Sequence, residues 1–213
     1  MKTYQKDFIE FCLQHNVIQF GNFVSHAGRT RPYRFDTGAF NTGATISVVG
    51  KYYAAAIRDA NMQYDVLYGP AYKGIPLVIS ASIALFESYQ IDKPYCFNRK
   101  QVPDEENGLI GSPLQGKVLI VDDLITTGTA VRRSIEKIKK EGGGLSSVVV
   151  ALNRQEKIRN EFSAIQVIEK EHQTKIISII SFEDIIEYVK TQPEYSQQVD
   201  VLENYFQQYK ETR

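Results

Sequence analysis

Two adjacent carboxylates, Asp122 and Asp123, end an apolar run, Val118-Leu119-Ile120-Val121, and Thr126-Thr127-Gly128-Thr129-Ala130 follows shortly after. Carboxylates accept hydrogen bonds from hydroxyl groups, whereas threonine hydroxyls and the open N–H groups of a helix start hold anions. A phosphorylated sugar needs both: the acids take ribose hydroxyls and the loop takes the 5′-phosphate. A buried parallel strand reads as a continuous apolar run. The two acids therefore stand at a strand's carboxyl end, where open α/β sheets bind ligands. An ordinary helix cap also uses Asp, Thr or Gly, but the length and order of this run set it apart.

A second strand-to-helix turn is Gly69-Pro70-Ala71-Tyr72-Lys73-Gly74-Ile75-Pro76. Its glycines let backbone approach a ligand closely, and Lys73 can reach an anion. Taken alone it is an ordinary Gly/Pro turn; beside a phosphate cradle, a pyrophosphate-binding loop is the better reading. Asn98-Arg99-Lys100 then opens a polar stretch to about residue 113, long enough to suggest a lid that closes on pyrophosphate. His15 and His172 fall in helical patterns without partner spacing for metal or triad chemistry.

The elements that must position these groups are legible from periodicity. Helices are expected over 4–15, 44–60, 75–89, 129–141 and 160–172, with two short ones at the C-terminus. Strands are expected over 17–24, 32–35, 64–68, 94–98, 117–121, 146–152 and 175–180, and Gly142-Gly143-Gly144 ends the fourth helix. From residue 44 onward strands alternate with helices, which predicts an α/β fold with a mostly parallel central sheet flanked by helices. The first 40 residues break the alternation. They are expected to form a small N-terminal hood (1–40) on a core of 41–213, with C-terminal elements contributing.

The 213 residues carry 25 basic and 25 acidic side chains, so no global field attracts nucleic acid. No apolar run approaches the ~20 residues that span a bilayer. No signal peptide is evident, so a cytoplasmic protein is expected. Cys12 and Cys96 have no metal-ligand spacing and are expected to be buried, reduced thiols.

The Asp122–Ala130 run resembles the phosphoribosyl-pyrophosphate (PRPP) loop of the type I phosphoribosyltransferases. Tyr95-Cys96-Phe97-Asn98-Arg99-Lys100, Gly69–Gly74, Asn153-Arg154-Gln155-Glu156, the opening Tyr4–Phe11 and Phe40-Asn41-Thr42-Gly43 narrow the likeness. Across essentially the whole chain they are similar to the bacterial orotate phosphoribosyltransferases. The resemblance implies transfer of the phosphoribosyl group of PRPP to orotate, giving orotidine 5′-monophosphate and pyrophosphate in pyrimidine biosynthesis. It implies Mg²⁺, held mainly by PRPP and water, and a homodimer with shared active sites. It assigns the ribose hydroxyls to Asp122 and Asp123, and the 5′-phosphate to Thr126, Thr127, Gly128, Thr129 and Ala130. Pyrophosphate falls to Tyr72 and Lys73, the base to Phe35, Arg154 and His26, and the lid to Arg99 and Lys100.

The chain also departs from the family. Pro103 and Glu105 stand where the lid has lysine and histidine, and 101–108 carries three carboxylates and no cation. His26 replaces a lysine, and Arg34 replaces one ring of an aromatic pair. Two other functions stay open on these grounds: a phosphoribosyltransferase for another base, or a catalytically impaired PRPP- or nucleotide-binding relative.

Overall fold

The computed structural model describes residues 1–24, 28–99, 108–159 and 161–212. The chain opens with helix α1 (Thr3–Gln14), then strands β1 (Ile18–Val24) and β2 (Thr30–Phe35), a 3₁₀ turn (Thr37–Ala39) and α2 (Gly43–Ala60). There follow β3 (Val66–Gly69), α3 (Gly74–Tyr89), β4 (Tyr95–Asn98), β5 (Leu109–Gly111), β6 (Lys117–Val121), α4 (Thr129–Lys140) and β7 (Gly144–Asn153). The last part holds β8 (Lys157–Arg159), β9 (Phe162–Ser163), α5 (Ala164–His172), β10 (Ile176–Ser181), α6 (Phe182–Lys190) and α7 (Ser196–Tyr209).

The central sheet has the order β10-β7-β6-β3-β4-β5, parallel throughout except for β5, which pairs antiparallel with β4. Alternation along the strands sorts the interior into two cores. Leu67, Leu119, Val121, Val149 and Ala151 face α1, α2, α3 and α6, with Phe8, Val49, Leu77 and Ile185 among their neighbours. Val66, Tyr68, Val118, Ile120, Val148 and Val150 face the other way, onto Val131, Ile135 and Ile138 of α4 and Ile165 and Ile168 of α5. Both faces are therefore covered, which is why the strands read as unbroken apolar runs rather than alternating ones.

β1 and β2 form a separate antiparallel pair whose register sets Gln19 opposite Arg34 and Phe20 opposite Tyr33. The pair packs on α7 through β2 and on α1 through β1, and α1 also lies against β10, α2 and α6. The aromatic contacts Tyr33–Phe182 (4.3 Å between centroids) and Phe182–Tyr205 (6.1 Å) join the hairpin to the two last helices.

Two expectations need correction. The helix expected over 160–172 begins only at Ala164, behind a short hairpin of β8 and β9, because Ser163 caps it: Ser163 Oγ accepts from Gln166 N–H and Gln166 Oε1 from Ser163 N–H. The stretch from 99 to 113 is not loop throughout, since Leu109–Gly111 returns along β4 as the sheet's edge strand. Three residues are too few to carry a period-2 signal. Cys12 and Cys96 are buried free thiols, and burial pushes the Cys96 thiol up to about 12. No helix among the described residues is long and apolar enough to cross a membrane.

Candidate active site

The carboxyl ends of β3, β4, β6 and β7 share one rim, because Tyr68 pairs with Ile120, Gly69 with Phe97, and Val121 with Val149. β3 leads through α3 to one side of the sheet and β6 leads through α4 to the other. The crevice between β3 and β6 is thus the point where the connections part, the place where such sheets bind ligands.

Asp122 and Asp123 stand at that point, each 8% exposed. Their backbone is locked to β7: Asp122 N–H donates to Val149 O (3.0 Å), and Ala151 N–H donates to Asp123 O (3.0 Å). Tyr53 of α2 donates its hydroxyl to Asp122 O at 2.8 Å. Asp122 Oδ1 accepts from Asp123 N–H (2.9 Å) and Asp123 Oδ1 from Leu124 N–H (2.8 Å). Asp123 Oδ2 accepts twice, from Lys73 Nζ at 2.8 Å and from Thr37 Oγ1 at 3.0 Å. Burial, and then the neighbouring Asp123 carboxylate, push the Asp122 carboxyl up to about 7.

Past the acids the chain turns through Thr126–Gly128 into α4. Gly128 has φ +79°, and a Cβ there would stand 2.8 Å from Ile168 Cδ1 and 2.9 Å from Arg132 Nη1. Glycine is the residue that takes this conformation without strain. Thr127 and Thr129 share a hydroxyl hydrogen bond of 3.1 Å, and Arg132 Nη1 holds Thr127 O at 3.2 Å. Arg132 is itself fixed by Glu171 of α5, Nε to Oε2 at 2.8 Å. Thr126, Thr127, Thr129 and Ala130 are exposed, and no acidic residue occupies the first turn of α4. The helix start is therefore presented to solvent with its dipole uncompensated, an anion-binding arrangement.

Facing it is the turn of residues 70–73, in which the Ala71–Tyr72 peptide is cis. Gly69 and Gly74 close the turn against each other; a Cβ on Gly69 would meet Gly74 O at 2.2 Å, and one on Gly74 would meet Pro70 Cδ at 2.7 Å. Asn98 Oδ1 accepts from Tyr68 Oη (2.9 Å) and from Ala71 N–H (3.0 Å), so β4 props the turn. Asn98 Nδ2 also donates to Arg99 O at 3.0 Å, and Arg99 N–H donates to Gly108 O at 2.8 Å. Tyr72 is 65% exposed, and Lys73 lies 3.9 Å from Asp36 Oδ1 as well as against Asp123.

The other end of the cleft is built from distant segments. Glu156, 7% exposed, accepts from Arg31 (Nη2, 3.0 Å; Nε, 3.2 Å) and from Tyr33 Oη (3.0 Å), with Arg29 Nη1 3.5 Å away. Arg29 also lies over the Tyr209 ring at 4.5 Å. Gln155, at φ 53°, is held by Asn153 Oδ1, and its own Oε1 accepts from Glu183 N–H at 3.0 Å. Arg154, between these braced residues, is half-buried, and its buried Nε has no hydrogen-bond partner among the described residues. Phe35 is buried in the core cluster, and Arg34 turns outward to pair with Asp36.

Asp122, Asp123, Lys73 and the α4 start thus share one crevice; Arg154 follows the end of β7 on the same rim, Arg99 starts at the end of β4, and Phe35 lies in the core beneath the hairpin rather than open to the cleft. His26, Lys100, Pro103 and Glu105 lie outside the described residues. Sequence reading had not singled out Thr37, Asp36, Tyr53 or the bracing roles of Asn98 and Glu156. Asn98 and Glu156 lie inside the Tyr95–Lys100 and Asn153–Glu156 motifs. Thr37 and Tyr53 carried no local signal.

A family model described as a phosphoribosyl transferase domain matches residues 40–184. The chain is 49% identical over 207 residues to an orotate phosphoribosyltransferase of Haemophilus influenzae (strain PittGG), spanning 96% of this chain and 97% of that one. An enzyme of the same name from Mannheimia succiniciproducens is 46% identical over 211 residues, covering 98% of this chain and 99% of its own. Among solved structures, a Francisella tularensis orotate phosphoribosyltransferase superposes with TM-score 0.87 at 39% identity, over 96% of this chain and 99% of that one.

Proposed function

Because the chain belongs to the orotate phosphoribosyltransferases, within the phosphoribosyl transferase domain family, we propose a division of labour among the groups around its cleft. The reaction is the transfer of phosphoribosyl from PRPP to orotate, giving orotidine 5′-monophosphate and pyrophosphate. Asp122 and Asp123 accept from the ribose hydroxyls. Thr126, Thr127, Gly128, Thr129 and Ala130 hold the 5′-phosphate through hydroxyls and helix-start N–H groups. Tyr72 and Lys73 take pyrophosphate, and Arg99 and Lys100 add cationic charge toward it. Arg154 binds the base through charge-assisted bonds, and Phe35 and His26 complete that end.

The observation that carries this reading is the shared crevice: a buried carboxylate pair, a lysine 2.8 Å from it, and an open helix start on the same rim. Displacement at the anomeric carbon gathers positive charge on the sugar and negative charge on the leaving pyrophosphate. Ionised acids beneath the sugar and cations at pyrophosphate stabilise both. In the free enzyme Lys73 sits on Asp123, so binding of the polyanion exchanges one partner of the ammonium for another.

Mg²⁺ fits this donor set without a protein cage. Asp123 spends both oxygens on Leu124, Thr37 and Lys73, and Mg²⁺ prefers substrate oxygens and water. A PRPP-borne ion would meet this chain through water ligands held by Asp122 and the Tyr72 hydroxyl. When bound, the ion neutralises charge on the leaving group.

A homodimer is part of the proposal. Ile46, Ile79 and Ile83 line an apolar groove of about 400 Å³ between α2 and α3, and Ile83 and Phe86 are more than half exposed. A second copy would bury that apolar face, and Ile83→Glu should give monomers by analytical ultracentrifugation. Partners are otherwise small molecules, with no role for nucleic acid or membrane, and the compartment is cytoplasmic. The deciding assay incubates purified protein with Mg²⁺, PRPP and orotate and follows orotate absorbance; absence of turnover at every substrate concentration overturns the reading.

A further inference from the structure

We propose that Thr37 is a positioning residue for the transfer: its hydroxyl fixes the Asp123 carboxylate beneath the ribose and ties it to the β1–β2 hairpin. The inference rests on the reading of Asp123 as a ribose-binding group. Thr37 is 8% exposed and donates from Oγ1 to Asp123 Oδ2 at 3.0 Å, across 86 positions of sequence.

Two donors meet on Asp123 Oδ2, and they differ in kind. Lys73 reaches it along a flexible four-carbon stem whose side chain is 52% exposed, and Asp36 Oδ1 waits 3.9 Å from the same ammonium. Thr37 is short and stiff at χ1. It opens a 3₁₀ turn capped by Asp36, whose Oδ1 accepts from Gly38 N–H at 3.0 Å and whose own N–H donates to Val17 O at 2.9 Å. That turn continues directly from β2, which carries Tyr33 and Phe35. When pyrophosphate draws Lys73 away, Thr37 is the donor that stays. It keeps Oδ2 engaged and leaves Asp123 oriented while Asp122 lies alongside. The hydroxyl also makes the sugar end sense the position of the hairpin at the base end, a link that no local motif contains.

The test compares Thr37→Val with Thr37→Ser and uses Thr174→Val as a control. Thr174 donates to Ser146 O at 2.8 Å, ahead of β10 and near the start of β7, at the opposite end of the strands from the rim. Loss of one hydrogen bond to a charged group predicts about a tenfold rise in KM and calorimetric Kd for PRPP in Thr37→Val. KM for orotate should stay within about twofold, Thr37→Ser should restore the PRPP constants, and Thr174→Val should leave both alone. Unchanged PRPP constants in Thr37→Val, equal shifts in both KM values, or failure of serine to restore them overturns the inference. Asp123→Asn separates the two levels of the argument. If it leaves PRPP binding intact, the ribose assignment falls and takes the inference with it; if it abolishes binding while Thr37→Val changes nothing, only the inference falls.

Discussion

At one end of the cleft Asp122, Asp123 and the start of α4 lie within eight consecutive residues, and their backbone is pinned to the neighbouring strand β7. At the other end Arg31 and Tyr33 meet Glu156 across 125 and 123 positions. The first end concentrates unfavourable terms: two buried carboxylates side by side, one of them pushed upward, and an uncapped helix start. The second end satisfies its buried charge, with Glu156 taking Arg31 and Tyr33. The unfavourable electrostatics gather around Asp122 and Asp123, whereas Glu156 is fully paired where the hairpin is held in place. Changes at the sugar end should therefore cost turnover, and changes at the Glu156 end should first cost stability.

The largest effect is expected from Asp122→Asn combined with Asp123→Asn. Steady-state assays should show turnover reduced by about 10³-fold, while circular dichroism and thermal melting show a fold at least as stable as before. A large loss of stability would erase the contrast between the ends. Next comes Glu156→Ala, which leaves the half-buried Arg31 without its carboxylate. Urea unfolding should show a loss of about 3 kcal/mol, with kcat at low temperature changed far less than in the aspartate variant. Lys73→Ala should lower kcat by about 10²-fold, as removal of one donor on a developing charge does elsewhere. Gly128→Ala forces a Cβ into the left-handed region and onto Ile168; a melting experiment should show a loss of about 1–2 kcal/mol, together with a higher KM for PRPP.

A further contrast concerns pH. Asp122 titrates higher in the folded state, at about 7, than in an unfolded chain, near 3.9. The native protein therefore holds more protons than the unfolded one in between. The stabilising contribution is complete below the unfolded value and disappears as pH rises through the folded one. Asp122→Asn should remove that decline, so the gap in melting temperature between variant and wild type widens from pH 5 to pH 8. PRPP binding, which favours the ionised acid, should release protons near pH 7, visible as buffer-dependent heats in calorimetry.

The strand–turn–helix around Asp122 and Asp123 is readable from sequence because its geometry is local. An apolar run covered on both faces, an acidic pair and a threonine–glycine turn leave their mark on consecutive positions. The parallel alternation from residue 44 onward was legible for the same reason, and its strand boundaries fell within about two residues. What stayed hidden depends on contacts across the chain. Thr37 reads as an ordinary turn residue until β6 places Asp123 above it, and Arg31 looks like a solvated charge until Glu156 arrives from beyond β7. The late start of α5 was hidden differently, since a helical apolar pattern masked the Ser163 cap.

The two cores separated by strand parity have a mechanical consequence. α3, which follows the Lys73 turn, rests on one core, and α4, which follows the threonine turn, rests on the other. The span between the Lys73 turn and the start of α4 is therefore gauged by the thickness of the sheet at β3 and β6, as a caliper is set by what it grips. A cavity beneath one helix, from Leu77→Ala or Ile138→Ala, would move one jaw and leave the other in place.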